Sequence, residues 1–298
     1  MARYEPSRTG VPVIRKAVIL AAGYGSRFLP VTRTVPKEML PVGTRPALDL
    51  VVEELVDAGI TDLLVITSRR KKILEDWFDR SPELEQAFAD APHKLAHLEQ
   101  PRLRVQFVRQ KAMQGTGHAL LLARTFAGDE PIVVCYPDDL FAGANASAQL
   151  IAAHERTGAS VLAVKDMGQA DVSRYGVVAT TDRADGALGV SGFVEKPAPG
   201  TEPSKLVSLG RFVYTPELFA HLEAGLQHHE GGEYYHVPAL EALAQSGQLV
   251  AEVLRGRHDD TGEPGGYWRT LVEHALADPD HGADFAAWLR ERMSRSVG

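Results

Sequence analysis

Apolar and polar positions in the first half of the chain follow two alternating patterns. Short runs rich in aliphatic and β-branched residues occur at residues 16–22, 62–67, 103–108 and 131–136. Runs of that length predict strands, the first and last of them fully buried. Between them lie segments with helical spacing. In residues 46–58, Leu48, Val51, Val52, Leu55 and Val56 fall on one helical face. Residues 72–78 and 117–125 read as further helices. Strands alternating with helices imply βαβ units, right-handed crossovers and a largely parallel sheet covered on both faces. Ligands of such sheets sit beyond the carboxyl ends of the strands. The loops after Ala22 and after Tyr136 meet that condition.

The second half is more mixed. Strands are predicted at residues 160–165, 176–180, 192–194, 206–214 and 249–254, and helices at 216–222, 237–245, 267–276 and 284–293. No internal repeat, low-complexity tract or long linker interrupts the pattern, so one continuous domain over residues 1–298 is expected.

Composition narrows the class. With 298 residues, 44% of them hydrophobic and 24% charged, the chain can form an ordinary globular core without disulfides or structural metal. Its net charge of -7 argues against a general nucleic-acid binder. It leaves room for a phosphate-bearing substrate met by a few cations and backbone amides in one cleft. The single cysteine, Cys135, lies in an apolar run and reads as a core residue. The first ten residues are polar, and no apolar run approaches the ~20 residues of a membrane helix, so a cytoplasmic location is the default.

Chemistry-bearing residues cluster at loops. After the first strand comes Ala22-Gly23-Tyr24-Gly25-Ser26-Arg27-Phe28, and ten residues on Pro36-Lys37-Glu38-Met39-Leu40-Pro41. Glycines at 23 and 25 either make a tight turn or let backbone N–H groups cradle a phosphate. Arg27 and Lys37 supply positive charge nearby. Phe28 occupies the place of the third glycine of a dinucleotide fingerprint, and no G-x-x-x-x-G-K-[ST] run occurs, so a nicotinamide site and a P-loop are both rejected.

A second glycine-rich loop, Arg109-Gln110 through Gly115-Thr116-Gly117-His118-Ala119, starts a helix and offers the Gln110 amide to a base edge. At the end of the fourth strand, the carboxylates of Tyr136-Pro137-Asp138-Asp139 are either caps or hard oxygen ligands for a cation. Glu195-Lys196 is a surface salt bridge unless it lines a site. Asp260 stands in a turn, and His258 has neighbours of the wrong type for zinc and reads as a surface residue.

In order and spacing these elements resemble the sugar-nucleotide pyrophosphorylases, and most of all their bacterial UTP–glucose-1-phosphate uridylyltransferase branch. The resemblance spans about residues 15–276. It implies a Rossmann-like, mostly parallel but mixed α/β sheet of the nucleotide-diphospho-sugar transferase type. Residues 13–140 would form a nucleotide-binding half, 141–280 a sugar-binding half and 281–298 a C-terminal helix. It also implies roles. Ala22, Gly23 and Gly25 would hold nucleotide phosphates, Arg27 the leaving pyrophosphate and Lys37 the reacting phosphate. Gln110 and Gly115 would read uracil. Asp138, completed by Asp260, would bind Mg²⁺. Gly176, Glu195 and Gly210 would line the sugar pocket, and Lys196 would bind the sugar phosphate.

The implied substrates are UTP and a sugar 1-phosphate, with no nucleic acid or membrane partner, in a homo-oligomer (dimer or tetramer). Alternatives are another nucleotide and sugar pair, or a non-catalytic sugar-nucleotide-binding paralogue. One segment departs from the family: Glu233 is followed by Tyr234-Tyr235-His236-Val237-Pro238 where the family pattern is closer to I-Q-L-T-D. The change is expected to border the sugar side and to leave the nucleotide half untouched.

Overall fold

In the first strand, Lys16–Leu20, successive side chains enter opposite hydrophobic clusters. Ala17 and Ile19 meet Leu48, Val51 and Leu55 of helix Ala47–Asp57 on one face, while Val18 meets Leu120 and Ala123 on the other. A strand buried on both sides in this way is what a central position in a helix-covered sheet requires. The computed structural model describes residues 13–295; the polar first ten residues lie outside that range.

Among the described residues the main sheet has nine strands. Their order is Arg104–Arg109, Asp62–Thr67, Lys16–Leu20, Ile132–Cys135, Leu206–Tyr214, Ser160–Asp166, Leu249–Val253, Leu188–Glu195 and Gly176–Asp182. The first four pair in parallel, as their alternation with helices predicts. Leu206–Tyr214 then runs antiparallel to both neighbours. Only Ser160–Asp166 and Leu249–Val253 are parallel beyond it. The sheet is therefore mixed, with its continuous parallel part built from the first half and one further parallel pair in the second.

Boundaries follow local chemistry. The helix expected at residues 117–125 is two pieces, Gly115–Leu121 and Arg124–Ala127. Of the elements that went unanticipated, two bear on the site. One is helix Ala146–Thr157, capped by the Asn145 side chain accepting from Ala148 N–H at 2.8 Å and ended by Gly158 in the left-handed region. The other is a two-stranded ribbon, Asp139–Ala142 against Arg257–Asp260. No helix among the described residues is long and apolar enough to cross a membrane.

Two buried ion pairs hold loops onto this frame. Arg211, with 0% exposure, donates from Nε and Nη2 to the Glu54 carboxylate at 3.0 and 2.9 Å. Its guanidinium also donates to the carbonyls of Tyr136, Gly210 and Asp139. Ser147 caps Glu54 from the unanticipated helix. A register shift between Ser208 and Phe212 frees Arg211 to turn inward. The second pair is Lys71 with Glu38, at 2.8 and 2.9 Å, and Lys71 Nζ also donates to the Ala21 carbonyl at 2.6 Å.

Removing one partner of a buried pair strands the other's charge, at a cost of about 3–5 kcal/mol. Glu54→Ala is therefore expected to lower the urea midpoint by that much stability, and an unchanged midpoint would contradict it. Burial alone would raise the Glu54 carboxyl. The Arg211 charge and its hydrogen bonds, with those of Ser147, outweigh it and hold the group below its ordinary 4.5. The pair's contribution is thus complete above about pH 4.5 and lost as pH falls through the depressed value.

Candidate functional site

Four loops at the carboxyl ends of the parallel strands and one turn from the far end of the chain meet at a single place. Gly25 adopts φ +65°, and its carbonyl accepts from Thr32 Oγ1 at 2.8 Å, which folds the loop back toward Lys37. Lys37 makes an ion pair with Asp138. Burial works against its charge, but Asp138, then Glu38 and Asp139, outweigh that and raise its pKa. Arg27, exposed, donates to the Gly262 carbonyl at 3.3 Å. Thr261 fastens its turn to the Asp138 carbonyl through both N–H and Oγ1, each at 2.8 Å.

The two carboxylates implied as cation ligands face one point. A Cβ on Gly262 would stand 2.7 Å from Asp138 Oδ2 and 3.0 Å from Asp260 Oδ1. The Asp260 carboxyl is raised above its ordinary range, by burial first and then by the charges of Asp139 and Asp138, despite the hydrogen bond from Gly262 N–H. Among the described residues no group of three His, Cys, Asp or Glu side chains is arranged to cage a metal. Two hard carboxylates with room for substrate oxygens suit Mg²⁺, which is commonly held by one or two carboxylates plus phosphates.

Two cavities adjoin here. The smaller, about 310 Å³, is lined by Ala22, Gly23, Lys37, Gln110, Gly115 and Asp138, among others. The larger, about 1020 Å³, takes in Arg27, Gly176, Glu195, Lys196 and Gly210. Thr116, Tyr136, Glu233 and Tyr235 belong to both. Of the residues implied by the sequence, all but Gly25 and Asp260 line these two cavities; a Cβ on Gly25 would meet Thr32 and Lys37, and Asp260 lines a neighbouring recess with Tyr175 and His258. Gln110 is buried, its Nε2 donating to the Gly115 carbonyl and lying 3.0 Å from His118 Nδ1. Glu195 and Lys196 pair at 3.6 Å at the exposed rim. Lys196 has φ +48°, a left-handed conformation uncommon for a non-glycine side chain. A side chain on Gly210 would collide with the Asp139 carboxylate and Tyr136.

Two expectations need correction. His258 is not a surface residue: its side chain is 12% exposed and bonds Asp139, whose other oxygen accepts from Gly210 N–H at 3.0 Å. Pairing across the ribbon put it there, and a ribbon four residues long leaves little periodic signal. The segment at residues 234–238 does touch the nucleotide-side loop. Tyr234 N–H donates to the Gln114 carbonyl at 2.7 Å, and the Tyr234 carbonyl accepts from Gly117 N–H at 2.9 Å. Its ring packs against Gly117, and its hydroxyl donates to the Leu222 carbonyl at 2.8 Å. Glu38 and Lys71 were missed as supports of the glycine loop. Glu38 belongs to the quoted Pro36-Lys37-Glu38 run, whereas Lys71 sits in a basic run, Arg69-Arg70-Lys71-Lys72, that reads as a solvated surface.

A model of the nucleotidyl transferase family matches residues 16–275, and the chain belongs to that family. Within it, the chain is similar to UTP–glucose-1-phosphate uridylyltransferases. The one from Staphylococcus epidermidis is 38% identical over 284 residues, covering 93% of this chain and 98% of the relative. The one from Bacillus subtilis (strain 168) is 38% identical over 273 residues, covering 90% and 93%. Among solved structures, a UTP-bound UGPase from Acinetobacter baumannii superposes with a TM-score of 0.83 at 30% identity, over 93% of this chain and 99% of that one. A UDP-glucose pyrophosphorylase complexed with UDP-glucose gives 0.77 at 32% identity, over 89% and 100%.

Two loop glycines separate packing from permissive turns. At Gly115, φ is +88° and a Cβ would stand 2.5 Å from the Tyr234 carbonyl oxygen, whereas a Cβ on Gly23 meets nothing within 4 Å. Gly115→Ala should therefore lose more than about 2 kcal/mol in thermal unfolding, and Gly23→Ala should stay within about 0.5 kcal/mol of the parent. Equal losses at both positions would refute this packing of the loop against Tyr234.

Proposed function

We propose that this nucleotidyltransferase transfers UMP from UTP to glucose 1-phosphate, giving UDP-glucose and pyrophosphate with Mg²⁺ as cofactor. The observation that carries the reading is the pair of adjoining cavities, with the Lys37–Asp138 pair on the smaller and Lys196 at the rim of the larger. Similarity to uridylyltransferases over nine-tenths of the chain selects the substrates.

In the proposed reaction an oxygen of the sugar phosphate attacks the α-phosphorus of UTP. The new bond forms as the bond from that phosphorus to the bridging β-phosphate oxygen breaks, and pyrophosphate carries the electron pair away. No covalent enzyme intermediate is needed. Catalysis then rests on alignment and on charge placed in advance. Lys37, kept protonated by its acidic neighbours, meets the α-phosphate charge. Arg27, steadied by its hydrogen bond to the Gly262 carbonyl of the turn that holds Asp260, meets the leaving pyrophosphate. Lys196 holds the incoming phosphate against repulsion from the nucleotide. Asp138 and Asp260 would hold Mg²⁺, which would neutralise phosphate charge. Gln110 and the Gly115 turn face the base, and Glu195 with the backbone at Gly176 and Gly210 faces the sugar.

The identity of the substrates is tested by pyrophosphate release with Mg²⁺, crossing four nucleoside triphosphates with a panel of sugar 1-phosphates. UTP with glucose 1-phosphate should give the highest kcat/KM; a different best pair would move the assignment within the family. Lys37→Ala should lower kcat by about 10²–10³-fold, the scale for removing one preorganised charge stabiliser. Near-normal turnover in that variant would sink the role given to Lys37.

A further inference from the structure

His236 is a buried histidine that the transfer chemistry does not use. It heads helix Val237–Gln245, inside the segment where this chain departs from the pyrophosphorylase pattern. Its Nδ1 lies 2.8 Å from Thr116 Oγ1, and its backbone N–H donates to the same oxygen at 3.4 Å. Three aromatic rings close around the imidazole edge-on: Phe212 at 5.7 Å, Tyr136 at 6.3 Å and Tyr214 at 6.5 Å between centroids. The ring is thus held in one place by a hydrogen bond at one nitrogen and by packing on its faces. Burial pushes its pKa down to about 4, so it stays neutral near pH 7.

A neutral imidazole offers one donor and one acceptor nitrogen. Thr116 engages Nδ1, and Nε2 has no hydrogen-bond partner among the described residues. The residue lines the large cavity together with Gly176, Glu195, Lys196 and Gly210. A side chain on Gly210 would meet Tyr136, whose ring also lies against the imidazole, and this shared neighbour sets His236 beside the wall that Gly210 forms. Nε2 is not sealed inside the protein but opens onto the cavity, where a ligand group can take the place of water and complete it. A sugar hydroxyl both donates and accepts, and it suits Nε2 in either tautomer.

We propose that His236 Nε2 hydrogen-bonds a hydroxyl of the acceptor sugar, making His236 a specificity-determining residue of the larger cavity. This rests on the reading of that cavity as the sugar 1-phosphate site. Thr116 lines both cavities, so one side chain anchors the acceptor contact and also belongs to the loop facing the nucleotide.

The test compares the parent with His236→Phe in pyrophosphate release from UTP. The acceptors are glucose 1-phosphate, its 2-, 3-, 4- and 6-deoxy analogues, and galactose 1-phosphate. In the parent, loss of the contacted hydroxyl should cost about tenfold to a hundredfold in kcat/KM. In His236→Phe the reaction of glucose 1-phosphate itself should fall by a similar factor. The penalty for that one analogue should disappear while the other penalties persist, the signature of a removed pairwise contact. His236→Asn, which keeps an N–H, should recover part of the discrimination. If the phenylalanine variant does not fold, Thr116→Val frees the ring from its anchor and should shrink the same penalty. A pattern of deoxy penalties identical to the parent's overturns the proposal, even if overall activity drops. Absence of pyrophosphate release by the parent with every acceptor removes the functional reading and the proposal together.

Discussion

The bidentate pair between Arg211 and Glu54 is the constraint from which most of the site follows. Burying both charges is expensive, and the structure offsets that cost by satisfying them from several sides. Glu54 receives Arg211 and Ser147, while Arg211 also donates to the carbonyls of Tyr136, Gly210 and Asp139. Those three carbonyls belong to the loop after Ile132–Cys135 and to the strand beside it. Once they are fixed, Asp138 is held opposite Lys37, and Asp139 is held between Gly210 N–H and His258. The Asp260 turn then attaches to the Asp138 carbonyl through Thr261. A buried cation thus orders a chain of acidic groups without itself reaching a cavity.

The second buried pair does for the glycine loop what the first does for the acidic loop. Lys71 ties the Ala21 carbonyl, just before the glycines, to Glu38, just after Lys37. The backbone at the start of the glycine loop and the segment carrying Lys37 are therefore anchored to one buried ammonium group. The acids beside these loops are partnered, Glu38 by Lys71, Asp138 by Lys37 and Asp139 by His258, and Arg27 and Lys37 line the cavities.

Much of this was legible in the sequence, for identifiable reasons. Strands buried in the interior of the sheet are nearly continuous apolar runs, and the Asp62–Thr67 and Leu206–Tyr214 bounds were read directly. Loops that must approach phosphate carry glycine and cations together, so the cluster from Ala22 to Lys37 stood out. The unread features depend on contacts between distant positions. Helix Ala146–Thr157 has a weakly apolar sequence and is specified by its caps and by Ser147 on Glu54. His258 looked like a surface residue because its partner, Asp139, is 119 residues away. The same distance problem misplaced Tyr234, which has no local motif yet seals the back of the Gly115–Gly117 turn. A sequence window cannot show that a segment lining the larger cavity also walls the smaller one.

The proposed single displacement in one two-substrate site has a direct signature in isotope exchange. Labelled pyrophosphate is incubated with unlabelled UTP and Mg²⁺, with and without glucose 1-phosphate. Label should enter UTP only when the sugar phosphate is present, because the reverse reaction needs UDP-glucose. Exchange at a comparable rate with UTP alone would require a uridylyl-enzyme intermediate and would contradict the account.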